Sequence, residues 1–158
     1  MIDYRNIEKS DYAEFLKLLT DYYREGEDAD TEQSVLDEFI KHLFSLVVEN
    51  QIRGCFLYQD DVLAGFVLWM IDTPGSDYSE IPGFGTFLEI GICPSCRAQG
   101  MGRCAVEATE ERMREADVKN FYVSVYLPAG AFWEKCGYRK TDKKASNGLY
   151  IYVKMGNE

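Results

Sequence analysis

The chain has 158 residues and carries 27 acidic against 17 basic side chains, a formal charge of −10. That length fits one domain with its own core. The acidic excess disfavours nucleic acid, whose binding rests on Lys and Arg neutralising phosphates, and no apolar run reaches the length of a membrane span.

Five cysteines is an odd number, with no regular disulfide spacing, which fits a reducing compartment where thiols stay free. The start Met1-Ile2-Asp3-Tyr4-Arg5 lacks the basic then apolar layout of a signal peptide, so a cytoplasmic protein is the default expectation. Residues 1–50 hold 13 acids and 5 bases, a balance of −8, while residues 51–158 hold 14 and 12, a balance of −2. The acidic first third can attract a cation or simply keep the chain soluble.

Residues 2–6 read as a short strand. Ser10 or Asp11 can cap a helix on which Tyr12, Phe15, Leu16, Leu19, Tyr22 and Tyr23 recur at helical spacing. A charged loop, residues 25–30, follows, and Asp30 with Gln33 resembles a capping box ahead of a second helix striped by Val35, Leu36, Phe39, Ile40, Leu43, Leu46 and Val47. Residues 55–58 and 62–69 are β-prone runs around Gln59-Asp60-Asp61, a hairpin signal. Residues 73–85, rich in Gly, Pro, Ser and Asp, read as a loop. Phe87 to Ile92 follows as a central strand that Pro94 ends. Residues 100–116 form a third helix, with Met101, Ala105, Ala108, Thr109, Met113 and Ala116 on its expected buried face. Then come a strand at 121–126, a short helix at 129–136 stopped by Gly137, and a last strand at 149–155. The order is mixed α/β without repeats or linkers, so one domain over residues 1–158 is expected.

The chemistry concentrates where a strand, a turn and a glycine-bearing helix start meet, in Ile92-Cys93-Pro94-Ser95-Cys96-Arg97-Ala98-Gln99-Gly100-Met101-Gly102-Arg103. Unpaired N–H groups at a helix N-terminus attract anions, glycine lets backbone approach a diphosphate closely, and Arg97 and Arg103 can add charge-assisted hydrogen bonds. Taken alone, two glycines in this stretch fit a helix start with a packing glycine equally well. No Gly-Lys-Ser/Thr follows, so the stretch is not a P-loop, and one glycine pair does not make a dinucleotide fingerprint.

The run Ile92-x-Pro94-x-x-Arg97-x-Gln99-Gly100-x-Gly102 resembles the signature of the GNAT superfamily of acyl-CoA-dependent N-acyltransferases, and Ala129-x-x-Phe132-Trp133-Glu134-Lys135-Cys136-Gly137-Tyr138 resembles that family's second conserved block. Gly65, after an apolar pair on the third strand, also sits where the family has glycine. The resemblance implies a mostly antiparallel central sheet flanked by helices and acetyl-CoA as the acyl donor. It further implies that Ile90, Gly91 and Ile92 line the pantetheine arm, that an N–H near Ile92 polarises the thioester carbonyl, and that Arg97, Ala98, Gln99, Gly100, Met101, Gly102 and Arg103 hold the diphosphate. No metal and no membrane are called for, the acceptor is an amine, and a homodimer is compatible with the family.

Trp133, expected beside the cofactor, stands where the family commonly has a tyrosine that serves as the acid, and an indole N–H delivers no proton at neutral pH. Tyr126 and Tyr138 are the candidate replacements, each with a packing role as its alternative. Glu89, mid-strand between Leu88 and Ile90, is the candidate base; its alternative is a strand glutamate facing solvent or a cation. The acids of residues 25–30 suggest a cationic acceptor, with Tyr22, Tyr23, Asp77 and Tyr78 as candidate contacts, or else a solvated loop. Two rival readings remain: a non-catalytic acyl-CoA-binding sensor on the same fold, and a thiol-redox protein using Cys93-Pro94-Ser95-Cys96. His42 on the second helix reads as an ordinary surface or packing residue.

Overall fold

The computed structural model describes residues 2–26 and 28–156. Strand β1 (Ile2–Asn6) leads into a 3₁₀ turn whose ends cap each other, the Glu8 N–H donating to Asp11 Oδ2 at 2.8 Å. Helices α1 (Tyr12–Glu25) and α2 (Gln33–Val48) follow. The expected Asp30–Gln33 box does not form: Glu32 is the N-cap of α2 and offers no side-chain cap. The reason is Arg24. Its guanidinium donates to the carbonyls of Asp28, Ala29 and Thr31 and to Gln33 Oε1, and so ties the connection to α1.

Strands β2 (Arg53–Gln59) and β3 (Val62–Ile71) form the expected hairpin. Its two turn residues, Asp60 and Asp61, take φ of 52° and 65°, the left-handed pair of a two-residue hairpin turn that Asp tolerates better than most side chains. The chain continues through β4 (Gly85–Ile92), α3 (Met101–Glu115), β5 (Phe121–Val125), α4 (Gly130–Lys135), β6 (Arg139–Lys144) and β7 (Tyr150–Lys154). The sheet order is β1-β2-β3-β4-β5-β7-β6, antiparallel except between β4 and β5. Sequence periodicity misses β6, and its composition shows why: Arg-Lys-Thr-Asp-Lys-Lys has no apolar position to alternate. It is an edge strand, and its lysines discourage further pairing.

Alternation along the strands sorts the core into two layers. Phe56, Phe66 and Leu68 pack under α1 and α2, whereas Leu57, Val67 and Phe87 pack under α3 and α4. On α3 the buried face is Met101, Ala105, Val106, Thr109, Glu110 and Met113; Ala116 is exposed and Ala108 only half-buried, so the expected face is turned toward Val106 and Glu110. Among the described residues no helix is long and apolar enough to cross a membrane.

Candidate active site

Strands β4 and β5 pair only through Gly85–Phe121, Thr86–Tyr122 and Phe87–Val123. Beyond Phe87, β4 runs on against β3 alone and β5 against β7 alone. The two central strands therefore part like a fork, and a cleft of about 1230 Å³ opens between them. One half is walled by β4 from Leu88 to Ile92, the start of α3, and α4. The other half is walled by the C-terminal end of α1 and the loop between β3 and β4.

A bulge decides which half Glu89 serves. Leu68 pairs with Glu89 and Trp69 with Phe87, so Leu88 is an extra residue without a partner in β3. Strict alternation from Phe87 would aim Glu89 at the α3 layer; the inserted residue re-aims it to the face of Leu68, under α1 and α2. Its surroundings agree. Burial first, and then the Glu89 carboxylate, raise Tyr23 well above the ordinary phenol value. Tyr78 is raised by burial, then by Asp77 and Glu89. The Tyr23 hydroxyl is buried without a partner at good hydrogen-bonding geometry, and the charge that it faces is Glu89.

The glycine-bearing start of α3 differs in detail from the sequence expectation. The helix begins at Met101, with Gly100 as N-cap at φ 75° and no side-chain cap; Ala98 is also left-handed, at φ 64°. The first-turn N–H groups of α3 are thus left for a ligand. Gly102 also makes room for a neighbour: a Cβ there would come within 3.0 Å of the Phe132 ring, so this glycine lets α4 lie against the first turn of α3. Arg97 is already engaged, donating from Nε to the Ile92 carbonyl at 2.9 Å and ion-paired through Nη2 with Glu25 at 2.9 Å. Arg103 pairs with Glu107 on its own helix at 3.3 Å.

Ile90, Gly91, Ile92, Arg97, Ala98, Gly100, Met101, Gly102, Arg103 and Trp133 all line the cleft; Gln99 is exposed and does not. Glu89 and Tyr126 line it too, Tyr126 at the end of β5 with 43% of its surface exposed. Trp133 is 5% exposed and packed edge-on or tilted against Phe87, Phe132 and Tyr138, chiefly a core residue that shows one face to the cleft.

Tyr138 requires a correction. It is 3% exposed and does not line the cleft. Its hydroxyl donates instead to Glu110 Oε2 at 2.6 Å, and Glu110 Oε1 accepts from Lys154 at 2.9 Å. Burial, and then Glu110, raise Tyr138 far above the ordinary phenol range, so it holds its proton as a structural donor and is set aside as the acid.

Tyr22, Tyr23, Asp77 and Tyr78 line the half walled by α1 and the β3–β4 loop, together with Glu25 and Asp28. Asp30 is exposed outside the cleft, and Glu27 lies outside the described residues. Sequence reasoning overlooks Asp72, which closes β3 and is 1% exposed. It accepts from Tyr122, Ser79 and the N–H groups of Glu80 and Ile81. Burial raises this carboxyl, but the four hydrogen bonds outweigh burial and hold it below its usual value. Glu80 then accepts from the N–H and hydroxyl of Ser146. Asp72 thereby fixes the loop that carries Asp77 and Tyr78. The available signal is an Asp ending an apolar strand run just before Thr73-Pro74-Gly75.

All five cysteines are free. Cys96 is buried against Ala64 and Met101, and burial pushes the Cys93 thiol up, opposite to the lowered pKa of a redox-active CxxC. Among the described residues no group of three or more His, Cys, Asp or Glu is arranged to hold a metal ion. His42 is exposed on α2.

Comparison with solved structures returns the same architecture at low identity. A PaiA N-acetyltransferase from Thermoplasma acidophilum, solved with coenzyme A, superposes with a TM-score of 0.75 at 15% identity over 98% of this chain and 99% of that one. The aminoglycoside acetyltransferase AAC(6')-Ib, solved with coenzyme A, gives 0.77 at 16% identity over 99% and 96%. An acetyltransferase from Thermus thermophilus gives 0.74 at 19% identity over 98% and 97%. No curated protein matches by sequence. Residues 12–138 match the acetyltransferase (GNAT) family, a stretch that runs from the first residue of α1 to the end of the second sequence block, and the chain therefore belongs to the GNAT family of acetyltransferases.

Proposed function

We propose that this acetyltransferase moves an acetyl group from acetyl-coenzyme A to a primary amine by direct attack in a ternary complex. The observation that carries the reading is the fork between β4 and β5, with an uncapped helix start at one end and Glu89 re-aimed into the other half. Acetyl-coenzyme A suits that arrangement: the edge of β4 from Leu88 to Ile92 has no strand partner toward β5 and can pair with the amides of a pantetheine arm, while the first turn of α3 offers N–H groups to a diphosphate. When bound it supplies an activated acyl thioester, and an N–H near Ile92 is the proposed donor to the developing oxyanion.

Magnitudes rank the protein's own tasks. An alkyl ammonium of pKa about 10.4 costs roughly 4.6 kcal/mol to deprotonate at pH 7, whereas releasing a thiolate of pKa about 8.5 forgoes roughly 2 kcal/mol. Supplying free amine is the larger demand, and Glu89 takes that proton directly or through water. Tyr126, at the mouth of the fork, is the remaining candidate to protonate the departing thiolate.

Glu25, Asp28, Asp77, Glu80 and Glu89 put several carboxylates around the acceptor half, which favours an acceptor with positive charge: a polyamine, an aminoglycoside, a lysine side chain or a peptide N-terminus. AAC(6')-Ib, of the same fold, was solved with coenzyme A and kanamycin.

The test is thiol release from acetyl-coenzyme A across amine classes, paired with titration of the cofactor. Turnover with a cationic amine supports the reading, and failure to bind acetyl-coenzyme A overturns it. The buried indole of Trp133 in place of a tyrosine favours one other outcome, a non-catalytic acyl-CoA-binding module, which tight cofactor binding without thiol release from any amine would establish.

A further inference from the structure

We infer that the carboxylate of Glu25 and the diphosphate of coenzyme A compete for the same arginine, so that the Glu25–Arg97 ion pair is a latch that cofactor binding opens; this rests on the reading of the cleft as a coenzyme A site. Glu25 is the last residue of α1 and Arg97 stands between the end of β4 and the cap of α3. Residues 72 positions apart in sequence thus meet across the cleft, with Arg97 Nη2 at 2.9 Å from Glu25 Oε2.

Three observations make the pair more than a surface contact. First, Glu25 is misplaced for helix stability: it adds negative charge at the end of α1 where the peptide dipoles already place theirs. A nearby cation relieves this, and the neighbouring Arg24 is spent on the carbonyls of the following loop. Second, Arg97 is aimed by its own backbone contact. Its Nε donates to the Ile92 carbonyl at 2.9 Å, which fixes the guanidinium beside the turn that carries Ala98 and Gly100 in left-handed conformations. The outer edge of the guanidinium is then the part shared with Glu25. Third, both residues line the cleft while remaining 47% and 42% exposed, so the pair can exchange partners without opening the core. An arginine fork offered a diphosphate beside the helix start binds it bidentately. A carboxylate at 2.9 Å from one of its nitrogens holds part of that fork, and the two anions cannot both have it.

The experiment is calorimetric titration of coenzyme A into wild type, Glu25→Gln, Arg97→Gln and the double variant. All three variants should keep the wild-type circular dichroism, since both side chains are exposed. The latch predicts that Glu25→Gln tightens coenzyme A about two- to fivefold, the span of an exposed ion pair. It also predicts that Arg97→Gln weakens binding and that adding Glu25→Gln to Arg97→Gln restores nothing. Glu25→Asp, which keeps the charge but shortens the reach, should tighten binding as well. Two results overturn the latch while leaving the acetyltransferase reading intact: Glu25→Gln with unchanged or weaker affinity, or an equal gain in the Arg97→Gln background, which would mark mere long-range repulsion. A wild-type chain that binds no coenzyme A overturns both.

Discussion

Glu89 stands directly across the sheet from Leu68, on the face covered by α1 and α2, because Leu88 beside it has no partner in β3. One inserted residue thus places a carboxylate in the half of the cleft walled by α1, the half proposed to take the acceptor. Replacing Glu89 with Gln keeps the shape and removes the proton acceptor. The expected result is a fall in kcat/KM of about 10²–10⁴-fold, the usual worth of a general base, with the acid limb of the pH profile flattened and the affinity for coenzyme A unchanged. Full activity across pH in the variant would remove Glu89 from this role.

Tyr126 has the smaller chemical task. The thiolate's deficit of roughly 2 kcal/mol at pH 7 caps the loss from Tyr126→Phe at about thirtyfold in kcat. The loss should shrink as pH rises toward the thiol pKa, where no acid is needed. A pH-independent loss would mark Tyr126 as a binding contact, and no loss would leave the thiolate to depart unaided.

Glycines test the packing of the platform. A Cβ on Gly65 would run into the Gly91 carbonyl oxygen and lie 3.2 Å from the Ile92 Cα, both backbone of the neighbouring strand. Backbone in a ladder cannot step aside, so Gly65→Ala should cost at least the about 1–3 kcal/mol of an overpacked site and should also weaken coenzyme A binding by shifting β4. Gly54→Ala is the control: its Cβ would meet the Leu68 side chain at 2.9 Å, which can rotate. The comparison is read in urea midpoints and in titrations of the cofactor.

How much of this can be read from sequence follows from the kind of signal each part leaves. The strand, turn and glycine-bearing helix start around Arg97 to Gly102 is local, and it appears where expected to within a residue. The pairing of strands and the splay at Phe87 leave no local trace, because Leu88 looks like any apolar strand residue until its neighbour strand is known. β6 escapes notice because strand periodicity needs apolar positions and Arg139–Lys144 has none. Tyr138 reads as an acid from its place in the second block; only the fold brings Glu110 and Lys154 to it, from 28 residues before and 16 after. Gly102 reads as cofactor-facing and does line the cleft; that its missing side chain also makes room for Phe132 is visible only in the fold.

Asp72 anchors the loop that bears Asp77 and Tyr78. Its four hydrogen bonds hold its folded-state pKa below the ordinary value. A carboxyl whose pKa is lowered by folding contributes stability that is complete above the unfolded pKa, about 3.9, and is lost as pH falls through the folded value. The wild type should therefore lose stability below about pH 4, and Asp72→Asn, less stable by about 1–3 kcal/mol at pH 7, should lose less of what remains over that interval. Urea midpoints from pH 2.5 to pH 7 check both limbs. In turnover, Asp72→Asn should raise KM for the acceptor more than it lowers kcat, since it loosens a wall rather than the reacting groups.

The Glu110 cluster makes the opposite prediction, stability without chemistry. Glu110 is 1% exposed on α3 and is held by Tyr138 from beyond α4 and by Lys154 from β7. Lys154 donates to the Cys136 carbonyl as well, so one ammonium joins α3 to the C-cap of α4. Tyr138→Phe removes a hydrogen bond to a charged acceptor, worth about 1.5–3 kcal/mol, and should leave kcat within about threefold if Tyr138 is not the acid. Lys154→Met leaves Glu110 without its closest cation; the remaining arginine, Arg114, sits at 3.6 Å. The loss should reach about 2 kcal/mol or more, below the about 3–5 kcal/mol of a fully buried pair, because Lys154 keeps some contact with water. Replacing both Glu110 and Lys154 with Met should recover at least half of that loss, since the cost lies in stranding the carboxylate rather than in losing the pair. A double variant no more stable than Lys154→Met alone would show instead that the lysine acts through Cys136 and the α4 corner.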